Sequence, residues 1–186
     1  MVTEYKVSQN AELIGGMLQT IWTAFPEGFQ NILKKILADH GIEEIVPDKW
    51  YHFQSVLDAL KEIEEKFGHH LMRQVGEQAA MAAPVSPEIT TLKQCLLSLN
   101  ITLSRICRGG EIGGYTISEE KTGAGSTRYV VNASTPFPCS LTMGYLDGYA
   151  QRFKTGEFKE VITRHDEERP CRKQGAESCT YIISCW

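Results

Sequence analysis

The sequence predicts an α+β domain: an N-terminal helical layer packed on a C-terminal antiparallel sheet, with one helix inserted among the strands. Three observations predict it. Apolar residues recur at helical spacing through residues 1–108, and β-prone runs bounded by glycine and proline fill much of 109–186. No repeat, low-complexity tract or linker separates the halves, so residues 1–186 are read as one domain. The chain has 186 residues, enough for one substantial core.

The elements follow in order. After Pro26, the spacing of Phe29, Ile32, Leu33, Ile36 and Leu37 predicts a helix that stops at Gly41. A second is predicted after Asp48, through Trp50, Phe53, Val56, Leu57, Leu60 and Ile63 to Gly68, and a weaker one over His69–Ala82. Ser86-Pro87-Glu88 reads as a helix start: a capping hydroxyl, a first-turn proline and an acid at the positive end of the dipole. The Leu/Ile-rich run from Ile89 to Cys107 continues from it as a buried helix, ended by Gly109-Gly110.

Beyond this point the period changes. Gly114–Glu119 and Thr127–Ala133 read as strands joined around Thr122-Gly123-Ala124-Gly125. Thr135-Pro136-Phe137-Pro138 breaks the pattern, and a helix of about four turns then runs from Cys139-Ser140 towards Gly156. In it Gly144 and Gly148 share a face, where missing side chains allow a close neighbour. Strands near Phe158–Thr163 and Cys179–Ser184 complete a hairpin–helix–hairpin order over 109–186.

Composition excludes several classes. A net charge of −4 offers no electrostatic attraction to nucleic acid or to an anionic membrane. The first residues lack the basic and apolar regions of a secretory signal, and no stretch approaches the roughly 18 apolar residues of a membrane span. The expected compartment is the cytoplasm. There the six cysteines are expected to be free, reactive or metal-bound rather than a disulfide framework.

Four residues of the last third, Cys139, Glu168, Cys171 and Cys179, form a candidate metal set. Thiolates and a carboxylate complete a tetrahedral site for a divalent ion, zinc above all. Cys139 heads a helix, where partial positive charge favours a thiolate; Glu168, Cys171 and Cys179 bracket a turn between strands. Filled by four protein ligands, such a site is closed and structural. The spacing also admits a Cys171–Cys179 disulfide, an iron–sulfur cluster using Cys185, or inert buried thiols. His165, three residues before Glu168, is an alternative fourth ligand or a supporting residue.

The pattern Cys139-x4-Gly144-Tyr145-x2-Gly148, followed by Glu168-x2-Cys171-Arg-x2-Gly175-x3-Cys179, resembles the 4-vinyl reductase domain family. It is especially similar to the aromatic-effector sensor domains of phenol-responsive activators. The resemblance covers about residues 138–186 and implies a structural zinc held by Cys139, Glu168, Cys171 and Cys179 beside a ligand pocket. It also implies a fold shared with heme nitric-oxide-associated domains and with TRAPP subunits, commonly dimerised through helices.

Trp50, Phe53, Tyr115, Tyr145 and Tyr149 are candidates to line an apolar pocket for a small apolar or aromatic molecule; simple core packing is the competing reading. Gly123-Ala124-Gly125-Ser126 reads as a turn, since no Lys-Ser/Thr follows, and His69-His70 as capping or surface residues. Cys95 and Cys107 belong to the core, and Glu64-Glu65 to a solvated face. No catalytic set stands out. The leading expectation is a homodimeric, stand-alone small-molecule sensor with a structural zinc. A tetrapyrrole- or heme-binding enzyme or accessory factor, for which no motif speaks, and a non-catalytic scaffold subunit are the alternatives.

Overall fold

The computed structural model describes residues 2–123, 125–154 and 158–186. Helices make one side of the molecule and a four-stranded antiparallel sheet the other, as the sequence predicts. The chain runs β1 (Glu12–Ile14), α1 (Gly15–Thr23), α2 (Gln30–Asp39), β2 (Trp50–His52) and α3 (Phe53–Ala82). There follow α4 (Leu92–Leu97), α5 (Leu99–Ile106), β3 (Cys107–Arg108), β4 (Tyr115–Gly123), β5 (Ser126–Ala133), α6 (Cys139–Arg152), β6 (Val161–His165) and β7 (Cys179–Cys185).

The main sheet is ordered β4-β5-β7-β6 and is antiparallel throughout. Along β5 every second residue, Thr127, Tyr129, Val131 and Ala133, is buried, the period of a half-covered strand. Helix α6 lies between two packed regions. Leu141 joins the Leu, Ile and Phe side chains of α1, α2 and α3, and Leu146, Tyr149 and Phe153 join α4, α5 and the inner sheet face. At α6's approach to α3, a Cβ on Gly144 would stand 2.0 Å from the Arg73 carbonyl oxygen, and one on Gly148 2.5 Å from that of Glu77. The spacing of these two glycines is therefore a helix-crossing device.

Three local expectations are corrected, those for Trp50, for the helix start at Ser86 and for the single helix to Cys107. Trp50 lies in β2 rather than a helix, because β1 pairs with β2 and β3 in a second, three-stranded sheet. Helical character then persists from Phe53 to Ala82, interrupted only at Gly68, whose φ of 83° breaks the regular geometry. The helix expected from Ser86 begins only after Thr91, whose hydroxyl accepts from the Gln94 N–H while the Gln94 side chain caps in return. The run to Cys107 is split into α4 and α5. The tip of the β4–β5 turn (Ala124) and the expected helix end at Gly156 lie outside the described residues; α6 ends at Arg152.

Candidate metal centre

Three elements bring three cysteines together. Cys139 is the first residue of α6, after Pro138, and its N–H donates to Glu4 Oε1 at 2.6 Å. Cys179 opens β7. Cys171 precedes a 3-10 turn over Arg172–Gln174, and the chain doubles back through Gly175 at φ 86°. The Gln174 and Ala176 N–H groups donate to the Cys171 carbonyl at 2.8 and 3.3 Å, which fixes this loop. The Cys171 sulfur is 3.8 Å from that of Cys139 and 3.5 Å from that of Cys179.

The fourth donor is a histidine. Ligand atoms of Cys139, His165, Cys171 and Cys179 all lie within 4.8 Å of one another. Strand alternation explains why: Val161 and Thr163 are buried, and His165 continues that face opposite Tyr181, to whose ring it stands edge-on at 5.3 Å. His165 Nε2 is buried and makes no hydrogen bond. Glu168 lies past the strand, is exposed, and does not belong to this group. Its N–H donates to Asp166 Oδ1 at 3.2 Å.

Sulfurs at 2.3 Å from one central ion stand about 3.8 Å apart in a tetrahedron. The observed separations of 3.5 and 3.8 Å fit that geometry, and all six cysteines are free. The surroundings favour negative sulfur at Cys179. Cys179 Sγ accepts from the Arg172 backbone N–H at 3.3 Å and from its Nε at 3.4 Å. A hydrogen bond from Cys139, and then the Arg172 charge, hold the Cys179 thiol far below the ordinary range. Giving that hydrogen bond, together with burial, pushes Cys139 up, and burial pushes Cys171 up. Tyr181 adds an O–H bond to the Cys139 carbonyl at 3.1 Å and lies 3.3 Å from its sulfur. By contrast, Cys95 and Cys107 are pushed up to about 12 and Cys185 to about 11 by burial, the behaviour of core thiols.

Arg172 is 3% exposed, and neither Nη1 nor Nη2 has a hydrogen-bond partner. A buried guanidinium with two idle ends is costly unless a negative centre stands beside it. The Cys179 sulfur is the nearest such centre. Three thiolates, a neutral imidazole and a dication would together carry about one net negative charge, which one guanidinium would balance.

A polar clamp holds the same corner. The Glu64 carboxylate accepts from Ser140 Oγ at 2.6 Å, from Lys173 Nζ at 3.0 Å and from the Tyr5 hydroxyl. Glu64 is thus a half-buried joint between α3, α6 and the loop after Cys171, not the solvated acid that its neighbour Glu65 is.

Among the aromatic candidates, Tyr115, Tyr145 and Tyr149 pack in the second core region, close enough to interact with one another. Phe53 is fully buried 5.1 Å from Phe137, and Trp50 packs under the Arg108 guanidinium at 4.1 Å. Tyr145 and Tyr149 lie 6.2 Å apart in the core, with the Tyr145 hydroxyl 3.7 Å from Met17 Sδ. Only Tyr115 borders one of the three described cavities, a space of 760 Å³ also lined by Asn100, Leu103, Asn132 and Ser134. His69 and His70 are exposed, their rings 4.5 Å apart.

No protein-family model and no curated protein sequence matches the chain. Solved structures do. An oxygen-binding H-NOX domain related to soluble guanylate cyclases is 16% identical with TM-score 0.60, over 92% of this chain and 94% of its own. An H-NOX structure concerned with heme distortion is 14% identical with TM-score 0.60, over 92% and 93%. A variant of the T. tengcongensis H-NOX is 14% identical with TM-score 0.57, over 91% and 93%. These likenesses establish an H-NOX-like fold, which agrees with the heme nitric-oxide-associated fold expected from the sequence. The 4-vinyl reductase resemblance rests on the residue pattern alone. No helix is long and apolar enough to cross a membrane among the described residues.

A heme needs an axial donor facing a large apolar space. None of the five histidines lines the 760 Å³ cavity. His40 is held by Glu62 at 2.9 Å, His52 by the Gln9 carbonyl at 2.8 Å, His69 and His70 are exposed, and His165 belongs to the cysteine group. The 760 Å³ cavity has no His, Cys or Met on its wall. Its Tyr115 is tied through backbone N–H and C=O to the Asn100 side chain, each at 2.8 Å.

Proposed function

We propose that this chain is a ligand-responsive domain of H-NOX-like fold whose carboxyl end is cross-linked by a structural zinc. Cys139, Cys171 and Cys179 supply three sulfurs and His165 the fourth ligand. The convergence of these four donor atoms, within 4.8 Å of one another, carries the reading. Thiolate and imidazole donors in a tetrahedral arrangement suit zinc better than calcium or magnesium, which take oxygen. With four protein ligands the ion has no open position, so it shapes the fold and performs no chemistry on a substrate. Oxygen binding belongs to a neighbour at 16% identity and is not carried over to this chain.

The ion would tie the start of α6 to both strands of the β6–β7 hairpin. Since α6 touches both packed regions, a change at its first turn reaches the helical layer and the sheet together. This linkage is what makes a responsive domain the favoured reading. Protein purified without added metal is expected to carry about one zinc per chain, with three further thiols becoming reactive on chelation. Zinc well below one per chain, with those thiols already reactive, would overturn it.

A further inference from the structure

A cavity of 460 Å³ lies against the metal centre, walled by the second half of α3, the first turns of α6 and the loop after β6. Its volume is within the range of about 300–1,000 Å³ typical of small-molecule sites. Three cations line it, Arg73, Arg169 and Lys173, against one carboxylate, Glu167.

Each cation is steadied by an acid that does not line the cavity. Arg73 Nη2 is 2.8 Å from Asp147, Arg169 Nε is 3.4 Å from Asp166, and Lys173 Nζ is 3.0 Å from Glu64. A guanidinium has five N–H donors and an ammonium three, so each retains donors after its acid is served. The acids hold the cations in place and leave spare hydrogen bonds for a guest. Met143 supplies an apolar wall, and Arg172 offsets the charge of the neighbouring sulfurs.

We infer that this cavity binds a small organic oxyanion, its carboxylate or phosphate oxygens on Arg73, Arg169 and Lys173 and its apolar body against Met143. Paired N–H donors of a guanidinium match either headgroup. The inference rests on the reading above and names the ligand class to which the domain responds. A guest there would touch α3, α6 and the metal loop at once, the three elements that the centre joins.

Calorimetric titration of the zinc-bearing protein with benzoate, phenyl phosphate and neutral benzamide tests it. Benzoate or phenyl phosphate is expected to bind at least about tenfold more tightly than benzamide, the preferred one naming the headgroup. Arg169 is more than half exposed, so Arg169→Gln should keep its melting temperature and zinc content. It should weaken the anion about tenfold or more, the worth of one charge-assisted hydrogen bond. Equal affinity for benzamide, no heat with either anion, or affinity unchanged in Arg169→Gln would overturn the inference. Zinc is measured on the same samples: full zinc without anion binding sinks only this inference, whereas missing zinc sinks the reading on which it rests.

Discussion

His165 and Glu168 sit three residues apart, yet only one turns towards the three sulfurs. The difference is one of strand geometry: His165 continues the inward face of Val161 and Thr163, whereas Glu168 stands in the exposed turn beyond. Accordingly, His165→Ala is expected to lose most of the zinc and to lower Tm by roughly 6–12 °C, the equivalent of about 3 kcal/mol in a chain this long. Glu168→Gln should leave both unchanged; elemental analysis and thermal melts check the pair. The three cysteines were legible as a group because thiols are rare and chemically specific. The histidine was legible only as an alternative, since its orientation depends on where β6 begins and ends. In the sequence Arg172 reads only as one of three cations, with Arg169 and Lys173, beside the candidate ligands and able to offset their charge. Its burial follows from the doubled-back loop, which only the folded chain displays. Arg172→Met is expected to lower zinc affinity about 10–100-fold by chelator competition, because the cluster loses its counter-charge. An unchanged affinity would contradict the assigned role.

Among the elements, α6 positions the site. Its first residue is a candidate ligand, its second is bound by Glu64, and its glycine face sets how closely it lies on α3. Gly144→Ala must push the Cβ into the Arg73 carbonyl, so a loss of about 3 kcal/mol, or roughly 6–12 °C in Tm, is expected. Gly28→Ala, where nothing stands within 4 Å, should shift Tm by no more than about 2 °C. The glycine spacing and the hairpin–helix–hairpin order were readable because both rest on local periodicity. The three-stranded sheet was not, since β1, β2 and β3 are two or three residues each and are paired only by contacts far apart in the chain. The same pairing explains Trp50: a short strand overrides an apolar spacing that also suits a helix. The helix expected from Ser86 illustrates competing start signals, and the reciprocal cap of Thr91 and Gln94 prevailed over the proline.

For the whole molecule, the two packed regions meet along α6, and at its first turn the N-terminal segment, α3 and the terminal hairpin converge. Of the three described cavities, the one bordering the centre touches α3, α6 and the loop after Cys171, so a guest is sought there. The fold class followed from the sequence because the change of period near Gly109 is global and redundant. The occupant of the centre is a matter of chemistry at one point. X-ray absorption at the zinc edge of the untreated protein tests that point most directly. The account predicts a shell of three sulfurs at about 2.3 Å and one nitrogen at about 2.0–2.1 Å. An oxygen-dominated shell, or sulfurs bonded in pairs with no zinc between them, would contradict it.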